Sequence, residues 1–249
     1  MRSTRWRWLI FVLGVLVLEL VARSHLMDVT LSVPPSRMIT ELVEQLTSGA
    51  LTPDLIRTTS EIFASFALGA AIGLPLGVVL WRVPLLAIVI EPYLLAYYVV
   101  PVFALYPLLI KMLGAGAAPI TAIGAIAAVG AIASNTLVGL RGIPRVQLAV
   151  ARSYRLTGSQ TALHVVIPSA TPQIFVGLKL GFIYSLIGVL ASEFILATVG
   201  LGYQISYHYD NFESTKMFAV MVLVIAISVS VNWLLTLAER RLGRYRGTL

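Results

Sequence analysis

The sequence predicts an all-α, polytopic membrane protein with about six transmembrane helices. Hydrophobic residues make up 58% of the 249 residues and charged residues only 12%, a composition typical of membrane chains and not of soluble domains. The apolar residues form runs of roughly 20 residues, the length that crosses a bilayer as a helix. These runs lack the alternation of barrel strands, so each spanning segment must satisfy its own backbone hydrogen bonds as a helix.

Six apolar runs are candidate spans, separated by shorter polar segments. They are Trp8–Ala22, Leu55–Trp81, Leu85–Leu113, Pro119–Leu140, Pro172–Val199 and Met217–Leu237. The first follows a basic start, MRSTRWRW, as in a signal peptide, but no small-residue cleavage site comes after it. We therefore expect an uncleaved first span and a single transmembrane domain over residues 1–249.

The basic residues between the runs predict the orientation of the chain. With the N-terminus in the cytoplasm, twelve arginines lie inside and five basic residues lie outside. Cytoplasmic loops of membrane proteins carry the excess of Lys and Arg, so both termini are expected in the cytoplasm. We assign the net charge of +7 to this topology and not to nucleic acid binding.

Two segments on the outer side have patterns of their own. The segment at about residues 35–49 begins with proline, carries apolar residues at helical spacing and ends in glycine. It predicts an amphipathic helix on the outer membrane surface, with a solvated turn as the alternative. The segment GLGYQISYHYDNFESTK, Gly200–Lys216, is rich in tyrosine and polar groups. It fits either an outer mouth or an interfacial tyrosine belt.

Ionisable residues within apolar runs are costly in lipid, which makes them candidates for a translocation pathway. Glu91, Lys179 and Glu193 are such residues. Glu91 and Lys179 can neutralise each other across the third and fifth runs, or they can face the pathway. Glu193 has no evident partner at its depth, which favours a position facing a polar cavity.

The third run is interrupted by prolines and carries several tyrosines. Prolines free backbone carbonyls and bend helices, which packed or pathway-lining helices tolerate. Tyrosine hydroxyls offer contacts to a passing solute. We therefore predict that Tyr97, Tyr98 and Pro101 line the pathway, with interhelical packing as the alternative.

The second run contains glycines at a regular spacing of four residues. Gly69, Gly73 and Gly77 have the small-xxx-small spacing of closely packed helices, and packing alone explains them.

No nucleophile with a base, metal cluster or GxxxxGK phosphate loop emerges from the sequence. The chain is therefore not expected to be an enzyme or to bind a cofactor. If ATP drives the protein, ATP and Mg belong to another chain.

The longest cytoplasmic loop lies between the fourth and fifth runs, begins after Gly142 and Pro144, and contains AVARSYRLTGSQTALHVVIPSA, Ala149–Ala170. Its pattern predicts two short helices over about residues 145–167, joined at Thr157–Ser159, with Thr157 or Ser159 as a cap. Such a pair exposes arginines that fit a cytoplasmic partner. A basic loop resting on anionic headgroups is the alternative.

This loop resembles the coupling motif of ABC importer permeases of the type I fold, written EAA, three residues, G, nine residues, I-x-LP. Two positions depart from the motif, because Ala149 replaces its glutamate and Arg155 its glycine. The turn is then expected at Gly158, or the elbow differs. The resemblance assigns contact with the ATPase to Ala149, Val150, Ala151, Arg152, Arg155, Thr157, Gly158, Ser159 and Pro168.

Further segments are similar to the nitrate, sulfonate and taurine branch of this family, including EPYLL from Glu91 and GLGY from Gly200. The resemblance implies a permease subunit that assembles with cytoplasmic ABC ATPase subunits, an extracytoplasmic solute-binding protein and a second copy of itself. It implies transport of a small solute of the nitrate, sulfonate, taurine or pyrimidine-precursor type. A secondary transporter or a membrane scaffold protein without an ATPase is the alternative.

Overall fold

The computed structural model describes residues 2–24, 33–96 and 101–244. Within these ranges the chain is helical and contains no strand, which confirms the all-α prediction there. The helices are α1 (Arg2–Arg23), α2 (Pro35–Thr47), α3 (Thr52–Arg82), α4 (Pro84–Ala96), α5 (Tyr106–Leu113), α6 (Ala117–Arg141), α7 (Arg145–Ser153), α8 (Gly158–Thr161), α9 (Ile167–Leu196), α10 (Leu201–Asp210) and α11 (Ser214–Arg244).

Four helical segments in the described part of the chain are long and apolar enough to cross a membrane. They are Thr52–Arg82, Ala117–Arg141, Gly158–Asp210 and Ser214–Glu239. They contain the second, fourth, fifth and sixth predicted runs. The polytopic character is thereby confirmed, while the count of six spans stays a prediction.

The third predicted span, Leu85–Leu113, is not one continuous helix. The chain is extended at Pro101 (φ −71°, ψ 93°) and then forms a 3₁₀ turn at Val102–Leu105 before α5. Proline lacks a backbone N–H, and its ring disfavours helical geometry in the residue before it. The apolar helical pieces on either side are each shorter than a continuous bilayer-spanning helix, so the run is interrupted at Pro101 and its crossing of the membrane stays a prediction.

The helices α3 and α6 approach each other closely along a seam of glycines. A methyl group added to Gly69, Gly73 or Gly77 would lie 2.6, 2.9 or 2.5 Å from the Cβ atoms of Ala128, Ile132 and Thr136, respectively. These separations are well below ordinary carbon contact distances. The glycine spacing therefore serves close helix contact, as the sequence predicts.

The helices gather into two compact units. One comprises Met1–Thr58 with Glu193–Ile227, and the other Thr59–Ser192 with Ser228–Leu249. The first contains α1, α2 and α10, and the second contains α4 to α8. The division of the sequence as a single transmembrane domain stays a prediction.

Candidate functional site

The segment from α7 to the start of α9, residues 145–168, is named the coupling segment below. An apolar cluster holds both of its ends against the end of α6. Leu148 of α7 packs on this cluster, and Ser169 donates a hydrogen bond to Gln147 Oε1 at 2.6 Å. The segment is therefore fixed at its base by apolar packing and a polar contact. The buried members of the cluster are Leu140, Ile143, Val166 and Ala170.

The exposed surface of α7 and of the turn after it carries an apolar stripe and, on a different side, basic side chains. Val146, Val150 and Tyr154 are 72%, 50% and 78% exposed, and their spacing of four residues places them on one helix face. Arg152 and Arg155 are exposed as well. The other predicted coupling residues divide into exposed Ala149, Thr157, Gly158 and Ser159, buried Ala151 and half-buried Pro168.

The turn after α7 lies at Tyr154–Leu156. Arg155 has φ 52°, and the N–H groups of Arg155 and Leu156 bond to the carbonyls of Arg152 and Ala151 at 2.9 and 3.1 Å. This is the Schellman arrangement, whose left-handed residue is usually glycine. Of the two alternatives for the turn, Gly158 is therefore wrong, because the backbone hydrogen bonds hold Arg155 in the left-handed conformation. The joint predicted at Thr157–Ser159 lies at Tyr154–Leu156 instead.

Thr157 starts the second short helix. Its Oγ1 accepts a hydrogen bond from Gln160 N at 3.3 Å, and Gln160 Oε1 accepts one from Thr157 N at 2.9 Å. This reciprocal pair is a capping box, so Thr157 is the cap out of the two candidates, Thr157 and Ser159, that the sequence offers. Gly158 lies in the first turn of α8, where an added Cβ would meet nothing within 4 Å.

The left-handed arginine gives a testable stability effect. We expect Arg155→Gly to raise the free energy of unfolding by about 1 kcal/mol, because glycine adopts positive φ without the steric cost of a Cβ. Arg152→Gly is the matched control; it lies inside α7 and should lower stability by about 1 kcal/mol. Thermal unfolding of both purified variants measures the effect, and an equal loss in both would contradict the role assigned to the turn.

Of the two alternatives for Glu91 and Lys179, their mutual pairing is wrong. The carboxylate of Glu91 instead accepts a hydrogen bond from Arg141 Nη1 at 2.8 Å, and Lys179 Nζ lies 3.2 Å from Glu239 Oε2. α4 packs on α6, whose last residue is Arg141, while Lys179 of α9 faces α11. Helix neighbours decide the partners here, and a sequence does not give them directly.

The remaining predicted pathway residues are two tyrosines and a proline of the third run. Tyr97 and Tyr98 lie outside the described residues. Pro101 is exposed and precedes the 3₁₀ turn at Val102–Leu105. The assignment of these residues, together with Glu91, Lys179 and Glu193, to a solute pathway stays a prediction.

Glu193 is completely buried, with 0% exposure, and it has partners. Thr58 Oγ1 donates a hydrogen bond to Glu193 Oε1 at 2.7 Å, and the backbone N–H of Gly202 donates one to Oε2 at 2.8 Å. A buried carboxylate requires such donors, since its desolvation is otherwise very unfavourable. The expectation that Glu193 lacks a partner at its depth is therefore wrong.

Asp54 and Thr58 complete the same arrangement. Asp54 Oδ1 accepts from Gly200 N at 2.6 Å, and Thr58 Oγ1 accepts from Leu201 N at 2.8 Å. The N–H groups of residues 200–202 are the first of α10; such groups have no partner within their own helix and carry the positive end of its dipole. Asp54, Thr58 and Glu193, which we name the α10 cap cluster, therefore cap α10 from α3 and α9.

Glycine is required at the start of α10. Gly200 has φ 108°, a conformation that side chains strongly disfavour. A Cβ at this position would also collide with the carboxyl group of Glu193. The first glycine of the GLGY stretch thus allows the side chains of the α10 cap cluster to approach the backbone at the start of α10.

Comparison with known proteins places the chain in a family. The family model of the binding-protein-dependent transport system inner membrane component matches residues 69–244. The chain belongs to this family. The taurine transport system permease protein TauC of Escherichia coli is 25% identical over 258 residues, covering 98% of this chain and 92% of TauC. The nitrate import permease protein NrtB of Synechocystis is 24% identical over 175 residues, covering 70% of this chain and 62% of NrtB.

The permease also shares its fold with solved transporters. A chain of the inward-facing methionine ABC transporter MetNI aligns with a TM-score of 0.64 at 23% identity, over 78% of this chain and 95% of that chain. Family, fold and apolar helices together identify a multi-pass inner-membrane permease component of an ABC importer. The predicted family and fold class are thus confirmed.

A polar face of α3 in the permease escaped the sequence prediction. Asp54, Thr58, Glu61 and Ser65 are 9%, 2%, 2% and 0% exposed. Their spacing of four, three and four residues places them on one side of the helix. The signal was present in TPDLIRTTSEIFAS, and a search for polar residues at helical spacing inside a span would have found it.

The turn between α10 and α11 of the permease carries an ion-paired carboxylate outside the spanning segments. Glu213 lies 3.1 Å from Lys216 Nζ and 2.7 Å from His208 Nδ1. The hydrogen bond with Lys216, followed by that with His208, lowers the pKa of Glu213 below its ordinary value of 4.5. Stabilisation from this carboxylate is therefore complete above the ordinary value and is lost as the pH falls through the lowered one.

Proposed function

We propose that the coupling segment of this permease contacts a cytoplasmic ABC ATPase subunit and transmits its movement into the membrane helices. ATP and Mg bind and react in that partner, and this chain holds no cofactor of its own. The observation that carries the proposal is the combination of a fixed base with an exposed surface around α7 that offers both apolar and basic side chains. The position of this surface in the importer coupling motif supports it further.

The exposed surface has the composition of a protein interface. Tyr154 and the arginines are residue types that dominate binding energy at interfaces, and Val146 and Val150 add exposed apolar area. Such a surface transmits movement only if the segment beneath it is rigid. The Schellman turn at Arg155 and the capping box at Thr157 supply that rigidity.

The transport cycle follows from differential binding. ATP closes the ATPase subunits, and the closed form must favour one state of the permease over the other for movement to be coupled. A second copy of this chain completes the solute pathway, and lipid surrounds the pair. An extracytoplasmic solute-binding protein delivers the solute, and both termini lie in the cytoplasm.

The solute that we propose is small and of the nitrate, sulfonate, taurine or pyrimidine-precursor type. The names of TauC and NrtB support this class. Lys179 adds little to the recognition of an anion, because Glu239 compensates its charge at 3.2 Å. We therefore assign most of the choice of solute to the binding protein.

The coupling proposal is tested by reversing the charge of the exposed surface. The double variant Arg152→Glu and Arg155→Glu, and separately Val150→Glu, should weaken association with the native ATPase at least about tenfold, as expected when central interface residues are lost. Thermal unfolding of the permease should stay unchanged, because these side chains are exposed. Arg37→Glu, an exposed arginine outside the segment, is the matched control.

Two results would count against the proposal. Normal ATPase association by all of these variants would remove the exposed surface around α7 as the contact. If no ATPase accompanies the native permease, and ATP inside or outside proteoliposomes does not stimulate uptake, ATP-driven coupling is wrong. A secondary transporter or a scaffold protein would then be the better interpretation.

A further inference from the structure

The helix α2 lies outside the residues that the family model matches, and the function proposed above does not use it. Its outward surface has two sides. Ile39, Val43 and Leu46 are 56%, 52% and 40% exposed, and their spacing of four and three residues forms one apolar stripe. Thr40, Glu44 and Thr47 are exposed on the neighbouring polar side.

A different side of α2 packs on the protein. Gln45 is buried and donates a hydrogen bond to Glu41 Oε1 at 2.8 Å, and Met38 and Leu42 are half-buried. The exposed stripe is thus not the face that holds the helix to the rest of its compact unit. Three large apolar side chains at helical spacing remain uncovered.

The N-terminus of α2 is fixed to the last turns of α1. Glu19 of α1 accepts hydrogen bonds from Ser36 N at 3.0 Å and from Ser36 Oγ at 2.7 Å. Arg23 Nε donates to the same carboxylate at 2.7 Å. No side chain from the residues next to α2 caps this helix, and the carboxylate of Glu19 caps it instead. The start of α2 therefore lies beside the end of α1.

The exposed side chains of α1 indicate whether lipid or water surrounds the part of the helix that lies beside the start of α2. Four consecutive residues, Val15–Leu18, are all exposed, and four consecutive positions turn through a full circle of the helix. A helix that exposes large apolar side chains all round in an inner-membrane permease is surrounded by lipid. The end of α1 at Glu19–Arg23, with its charged pair, therefore marks the boundary between lipid and water.

We infer that α2 lies in the membrane interface at the end of α1, with Ile39, Val43 and Leu46 inserted among the lipids. The exposed charges of α2, Arg37 and Glu44, have opposite signs, so the helix presents no basic face to anionic headgroups. Insertion therefore depends on apolar burial and not on lipid charge. The helix acts as a lateral anchor that holds the end of α1 at a fixed depth.

The absence of cysteine from the sequence makes this proposal directly measurable. Single variants Ile39→Cys and Val43→Cys, with Thr40→Cys and Thr47→Cys as matched controls, are spin-labelled in the full permease. They are placed in nanodiscs of phosphatidylcholine alone and of phosphatidylcholine mixed with phosphatidylglycerol. Collision with oxygen reports lipid, and collision with a water-soluble nickel chelate reports water.

Labels at 39 and 43 are expected to favour oxygen and to lie about 5–10 Å below the headgroup level, whereas labels at 40 and 47 favour nickel. The pattern should be the same in both lipid mixtures. Nickel access at all four positions would overturn the proposal, because α2 would then be solvated. Protection of 39 and 43 from both reagents would also overturn it, since a second copy or another protein would cover the stripe. Leu46→Cys replaces either apolar variant that fails to fold.

Discussion

Replacing Glu193 with alanine is expected to lower the free energy of unfolding of the permease by about 3 kcal/mol or more. The side chain is completely buried and accepts hydrogen bonds from Thr58 Oγ1 and Gly202 N. Its removal leaves a buried hydroxyl and a buried backbone N–H without this acceptor, and it leaves a cavity. Equilibrium unfolding in detergent measures the loss, and solute uptake in proteoliposomes should fall with it.

Two further variants separate the contacts of Glu193 from its charge. Glu193→Gln keeps the volume and one acceptor oxygen, so we expect a smaller loss of about 1–2 kcal/mol. Glu44→Ala removes an exposed carboxylate and should change stability by less than about 0.5 kcal/mol. If Glu193→Ala unfolds like the unaltered permease, the α10 cap cluster does not stabilise the fold.

The same cluster can be disturbed from its backbone side. Gly200→Ala introduces a Cβ at φ 108° and against the carboxyl group of Glu193. Both effects oppose closure of the cluster, so the loss of stability should resemble that of Glu193→Ala and should not add to it fully in the double variant. Simple additivity of the two losses would mean that they act through different contacts.

Gly77→Ala is expected to destabilise the permease by about 1–3 kcal/mol, although glycine to alanine usually stabilises a helix. The new methyl group would lie 2.5 Å from Thr136 Cβ and 2.8 Å from the carbonyl oxygen of Ala133. Neither neighbour is the far end of a flexible side chain, so α3 and α6 must separate to accommodate it. Thermal unfolding of the purified permease measures the effect.

The control for this prediction is Gly14→Ala in α1. A Cβ there would meet nothing within 4 Å, and the variant should be neutral or more stable by up to about 1 kcal/mol. Gly77→Leu should lower the amount of folded permease in the membrane more strongly than Gly77→Ala. Equal behaviour of Gly14→Ala and Gly77→Ala would show that the α3–α6 seam is not tightly packed in solution.

The α10 cap cluster links α10 to one end of α3 and one end of α9, within one compact unit. Asp54 and Thr58 are in the first turns of α3, and Glu193 is in the last turn of α9. All three side chains accept hydrogen bonds from the first backbone N–H groups of α10. A displacement of α10 must therefore break hydrogen bonds to the first turns of α3 and to the last turn of α9, the parts of those helices that belong to the same compact unit.

Some local details were predictable because they depend on neighbouring residues alone. The cap at Thr157 follows from a threonine placed three residues before Gln160. The glycine seam follows from a repeat of four residues in an apolar run. The turn at Arg155 was not predictable, since a left-handed arginine is unfavourable by itself and is held by the Schellman hydrogen bonds.

Composition and apolar run length alone determined the all-α membrane class, because lipid leaves the backbone few alternatives to the helix. The coupling motif and its order among the runs determined the family. Only the tertiary structure decided that Glu91 binds Arg141, that Lys179 binds Glu239, and that Glu193 caps α10. The physical reason is that a charged side chain takes its partner from whichever helix packs beside it, and no local pattern specifies that neighbour.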